Sequence, residues 1–184
     1  MNWILLLEQT LNGFQFGILL FLLAAGLTLI FGIMDLINLA HGSLYMMGAY
    51  FAATFTEWTD SFLLGALLAL PACMLFGVIL ERIALKTLYT RSHLDQVLAT
   101  FGLILFFNEF VRLIWGPIGL DIPLPELLSG SVELFFGIRY PAFRLVIIAV
   151  GILVAFLLYL LVSKTRIGMR SEEHTSELQS HLNL

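Results

Sequence analysis

The stretch GIMDLINLAHGSLYMMGAY, residues 32–50, places four polar side chains, Asp35, Asn38, His41 and Ser43, inside otherwise apolar sequence. Its reading decides the fold. In a soluble protein such a segment is an ordinary loop between two helices. In a bilayer each of those groups is costly, and each becomes a suspect for function. Which case applies depends on what lies to either side.

On the N-terminal side runs GFQFGILLFLLAAGLTLIFGI, residues 13–33, long enough to cross a hydrocarbon core that takes about 20 apolar residues. On the C-terminal side follow four more candidate spans, at 39–55, 62–84, 94–115 and 143–162. The second is shorter and interrupted by small residues, and the third holds Pro71 near its middle, a residue that membrane helices tolerate. The composition agrees: 60% of the 184 residues are hydrophobic and 12% charged, against about 25% charged in soluble domains. The expectation is an all-α, polytopic membrane protein with five transmembrane helices, and lipid covering much of its surface.

Lys and Arg set the orientation. Arg82, Lys86 and Arg91 lie between helices three and four, and Lys164 and Arg166 follow helix five, so both places read as cytoplasmic. The loop TEWTDS and the Gly- and Pro-rich connection 116–141 are acidic and read as outside. The N-terminus then falls outside if residues 39–55 cross fully, and inside if the stretch 33–41 is re-entrant. Trp58, Trp115 and Tyr140 fall near the expected interfaces, as belt aromatics do. No cleavable signal peptide is evident at MNWILLLEQTLNG.

Within the opening stretch, Asn38 and His41 stand three apart and would share a face if the backbone were helical. Gly42 and Gly48 permit a helix break or the close approach of a neighbour. Two readings stay open: a substrate pathway or helix break at Asn38, His41 and Gly42, or hydrogen bonds that glue two helices together. Asn108 and Glu109 in helix four are further pathway candidates, although Glu109 stands three residues from Arg112 and the two form a plausible structural pair.

Several classes have no support. There is no phosphate-binding Gly-rich loop with Lys, no nucleophile elbow and no zinc-protease motif. His41 and Ser43, two apart, would point to different faces of a helix, so neither an enzyme nor a channel filter is readable, and no catalytic or metal-binding residue is assigned. The single Cys73 excludes an intramolecular disulfide and reads as a small buried hydrophobe.

The core INLAHG (37–42), followed by MMGAY (46–50), resembles the N-terminal signature of the permease subunits of bacterial branched-chain amino acid ABC importers. NGFQFGILLFLLAAGLTLIFG (12–32), ERIALKTLY (81–89) and SKTRIGMR (163–170) resemble further stretches of that family in the same order. Asp35 departs from the pattern, where a small or apolar residue is more usual. The resemblance covers about residues 8–170 and implies a fold of about eight membrane segments, of which about five are present here. It implies an inner-membrane subunit translocating branched-chain amino acids, with urea or short-chain amides as the alternative cargo. It implies a homologous second permease, two cytoplasmic ATPase subunits that bind the ATP and Mg, and a periplasmic binding protein. No nucleic acid partner and no cofactor in this chain are implied.

The end of the chain reads differently. Residues 170–180, RSEEHTSELQS, resemble the translation of a sequencing-library adapter, and HLNL (181–184) fits its continuation through a sample index. The expectation is therefore a permease segment over 1–169 and a non-native, disordered tail over 170–184, truncating the permease before the loop that would contact the ATPases. A real polar tail is the alternative that composition allows.

Overall fold

The computed structural model describes residues 3–34, 36–134, 137 and 139–164. The adapter-like tail and Asp35 lie outside the described residues. Six helices and one hairpin follow in order: α1 (Trp3–Met34), α2 (His41–Thr59), α3 (Phe62–Leu80), α4 (His93–Trp115), α5 (Glu126–Ser129), β1 (Ser131–Glu133), β2 (Arg139–Pro141) and α6 (Ala142–Lys164). The architecture is all-α apart from that two-stranded hairpin.

Among the described residues, four segments are long and apolar enough to cross a membrane: Trp3–Gly32, Phe62–Leu88, His93–Trp115 and Ala142–Lys164. The fifth long helix, α2, has 19 residues, about 28 Å at 1.5 Å per residue, but is less apolar. Ser43, Thr54, Thr56, Glu57 and Thr59 dilute it. The outer surfaces are hydrophobic: Leu63 is 76% exposed and Leu113 83%, the condition lipid requires.

The helices fall into two units. The unit spanning Met34–Leu127 is built on the pair α2 and α3. Asp60, in the left-handed region at φ 49°, ends α2, and Ser61 caps α3 by accepting from Leu64 N at 3.5 Å. The two helices approach most closely at Gly65. A Cβ there would lie 2.6 Å from Thr56 N and 2.7 Å from Thr56 Cα, so only glycine fits this crossing. The core gathers Leu36, Met47, Leu80, Leu85, Phe107 and Val111. Phe76 stands edge-on to Phe51 and Phe107, at 5.7 and 5.5 Å between ring centroids. Trp115 packs on Tyr50 at 5.0 Å and donates to Thr54 Oγ1 at 2.8 Å, which ties the end of α4 to α2.

Helix three runs through Pro71 without interruption and keeps α geometry only to Leu80. Glu81–Leu85 widens into a π turn, and Lys86–Leu88 tightens into a 3-10 turn. The expected end at Ala84 therefore falls inside the π turn.

The other unit holds α1, the hairpin and α6. Helix one begins at Trp3, ten residues before the expected start. Two of the polar residues in that added stretch find partners: Thr10 Oγ1 donates to Leu6 O at 2.8 Å within the helix, and Asn12 Oδ1 accepts from Tyr140 Oη at 3.1 Å and from Arg144 Nη1, far along the chain. Tyr140 is 2% exposed, so it is a buried anchor and not a belt aromatic. Gly151 of α6 lies against Ile18 of α1, where a Cβ would meet Ile18 Cγ2. The hairpin pairs Val132 with Tyr140, and Ala142 N donates to Gly130 O at 2.9 Å.

Candidate functional site

The segment Leu36–Ala40 separates α1 from α2 and is not helical. Asn38 supplies the local reason. Its Oδ1 accepts from Ala40 N at 3.0 Å, an Asx turn that offers the backbone an alternative to a helix. Helix two then starts at His41 with Ala40 as its N-cap and no side-chain cap. The segment is irregular and largely enclosed: Leu36 and Ala40 are fully buried and Asn38 is 1% exposed, while Leu39 faces outward. Irregular backbone at membrane depth is tolerated only where protein satisfies its polar groups.

Two side chains of α4 do this. Gln96 Oε1 accepts from Ile37 N at 3.1 Å. Thr100 Oγ1 accepts from Leu39 N at 3.3 Å and lies 3.5 Å from Ile37 O, while also donating to Gln96 O at 2.7 Å. Gln96 and Thr100 are both buried, and their spacing of four puts them on one face of α4. The amide nitrogen of Gln96 donates to Leu88 O at 3.2 Å and Arg91 O at 3.4 Å, in the connection after α3. Asn38 Nδ2 is left buried without a partner.

The residues singled out from the sequence therefore separate. Asn38 lies in the irregular segment. His41 and Gly42 are the first two residues of α2, so Asn38 and His41 do not share a helical face. A Cβ on Gly42 would meet nothing within 4 Å, whereas one on Gly48 would lie 3.2 Å from Cys73 Sγ, so the close approach falls at Gly48. The side chain of Asn38 bonds within its own turn, and Gln96 and Thr100 of α4 supply bonds to the break from another helix. Asn108 and Glu109 are exposed on α4, about 12 Å along the axis from Thr100. Glu109 pairs with Arg112 at 3.4 Å, with side chains 68% and 63% exposed. Sequence reading missed Gln96 and Thr100. The signal was present: two polar residues one turn apart in a helix otherwise apolar enough to span.

The end of α2 opposite the break borders a cavity of about 730 Å³ whose lining includes Glu57, Asp60, Asp121 and Glu126 together with Thr56 and Pro125. At the break end, Tyr89 Oη donates to Glu81 Oε1 at 3.1 Å. Partial burial, then that bond and the Glu81 charge, hold the Tyr89 phenol above its ordinary value.

Four apolar spans and a buried, side-chain-clamped break between helices define a multi-pass α-helical membrane protein. Residues 9–173 match the family described as branched-chain amino acid transport system, permease component, and the chain belongs to that family. It is 31% identical over 177 residues to the high-affinity branched-chain amino acid transport system permease protein BraD of Pseudomonas aeruginosa, covering 88% of this chain and 56% of BraD. It is 32% identical over 134 residues to the corresponding permease protein LivH of Salmonella typhimurium and 31% identical to that of Escherichia coli, covering 68% of this chain and 43% of each relative. The chain thus spans about half the length of the curated relatives it matches. No solved structure matches it significantly.

Proposed function

We propose that the chain forms part of the membrane pathway of an importer for branched-chain amino acids in the bacterial inner membrane. The observation that carries this reading is the family match over residues 9–173, joined to relatives whose names specify that transport system. The chain itself has no phosphate-binding loop, so the energy would come from separate ATPase subunits binding ATP and Mg. A second, homologous permease and a periplasmic binding protein complete the proposed assembly. In this reading the protein is a transport subunit and not an enzyme.

The break region, Asn38, His41 and Gly42, is the proposed pathway element, with Asn108 and Glu109 as further lining groups. Support comes from polarity in a largely apolar sequence and from the interruption of the helix, a device that transporters use at sites for polar cargo. The test is uptake of labelled leucine, isoleucine and valine by the complete permease with its partners, in cells lacking their own systems. Asn38→Leu is expected to reduce uptake by roughly tenfold or more while the assembly still forms, since an apolar side chain cannot form the Asx turn. Uptake at the parent level in that variant overturns the pathway role. Uptake of urea or a short amide in place of the three amino acids overturns the assignment of cargo.

A further inference from the structure

We propose that Gln96 is a positioning residue that latches the Leu36–Ala40 break to the connection after α3, so that displacement of the connection moves the break. The inference rests on the packing of α2, α3 and α4 and stands whatever the protein carries.

The geometry divides the amide of Gln96 between two clients. Its oxygen serves the break, accepting from Ile37 N at 3.1 Å, with His93 Nδ1 of its own helix 3.4 Å from the same atom. Its nitrogen serves the connection, donating to Leu88 O at 3.2 Å and Arg91 O at 3.4 Å. The two carbonyls belong to one closed turn, because Arg91 N donates back to Leu88 O at 3.0 Å. They therefore move together, one at the end of the 3-10 turn that follows α3 and its π turn, the other three residues on. At 2% exposure, Gln96 has little water to replace a lost partner. Thr100 differs: it touches the break and α4 itself, with no bond to the connection.

The break is also not at its own polar optimum. Asn38 Nδ2 is a buried donor without an acceptor, and such groups are uncommon because they forfeit the full cost of desolvation. The latch holds the segment in an arrangement that leaves this donor unmatched among the described residues.

The test is a double-mutant cycle on the full chain in lipid nanodiscs, read by hydrogen exchange of the peptide covering 36–40. One perturbation inserts a glycine after Tyr89, lengthening the connection. The other is Gln96→Met, which keeps the length of the side chain and removes both polar atoms. Each alone is expected to raise exchange by roughly tenfold, the equivalent of one buried hydrogen bond. Together they are expected to do no more than either alone, because the insertion acts through Gln96. Thr100→Val is expected to raise exchange and yet leave the effect of the insertion intact. Multiplying effects of the insertion and Gln96→Met overturn the proposal. So does an insertion that leaves exchange at 36–40 unchanged while Gln96 is present, a result that does not depend on whether Gln96→Met folds.

Discussion

Thr100 shows how much one hydroxyl can settle. Its oxygen accepts from Leu39 N in the break and donates to Gln96 O one turn earlier in α4. Thr100→Val keeps the shape and removes both functions. Leu39 N then has no described acceptor, and the expected loss is about 1–3 kcal/mol of stability, read as a lower midpoint of thermal unfolding in detergent. Thr100→Ser keeps the hydroxyl and is expected to lose less than about 1 kcal/mol. Equal losses in the two variants would show that the hydroxyl contributes no more than the methyl group and would overturn this account. The same accounting explains why Asn38 was legible in the sequence and Gln96 was not. Asn38 acts on its own backbone two residues on, a local effect. Gln96 acts on a residue 59 positions away, and nothing local marks that partner.

At the scale of elements, the crossing of α2 and α3 depends on Gly65. A side chain there meets the backbone of Thr56, which cannot swing aside as a flexible side chain would. Gly65→Ala is expected to destabilise by about 1–3 kcal/mol, as overpacking does. Gly77, in the same helix, has open space around it, and Gly77→Ala is expected to be neutral or to stabilise by up to about 1 kcal/mol. Thermal unfolding of the pair checks both, and equal shifts would overturn the account of the crossing. A second joint is the bond from Trp115 to Thr54. Trp115→Phe keeps much of the ring packing and removes the donor, with an expected loss of about 0.5–1.5 kcal/mol by the same measurement. The sequence placed the cores of the long helices well, because an apolar run of spanning length is a strong signal. It placed their ends poorly. Helix one gains ten residues because Thr10 and Asn12 find partners, and α3 changes geometry at Leu80 with no turn residue to announce it.

For the whole molecule, the distribution of Lys and Arg makes a topological prediction. Cysteine at position 91, in a Cys73→Ser background, is expected to react with a membrane-impermeant thiol reagent only from the cytoplasmic side, and cysteine at position 121 only from the outside. Labelling of both from one side would overturn the alternation of helices three and four. The adapter-like tail has its own check. Independent sequencing of the source DNA is expected to depart from RSEEHTSELQSHLNL after codon 169, and recovery of the same tail would make it native.

Composition, run length and charge by themselves determined the membrane class, the long apolar helices and a helix interruption worth attention near Asn38. These follow from the bilayer, which imposes the same demand on every residue that enters it: apolar surface outside and satisfied backbone within. Tertiary structure alone decided how the interruption is held. The amide of Ile37 and that of Leu39 needed acceptors, and the packing of α4 brought Gln96 and Thr100 to them. It also decided that Gly48, Gly65 and Gly151, and not Gly42, are close contacts among the described residues. A glycine's value depends on the neighbour that approaches it, and no sequence window contains that neighbour.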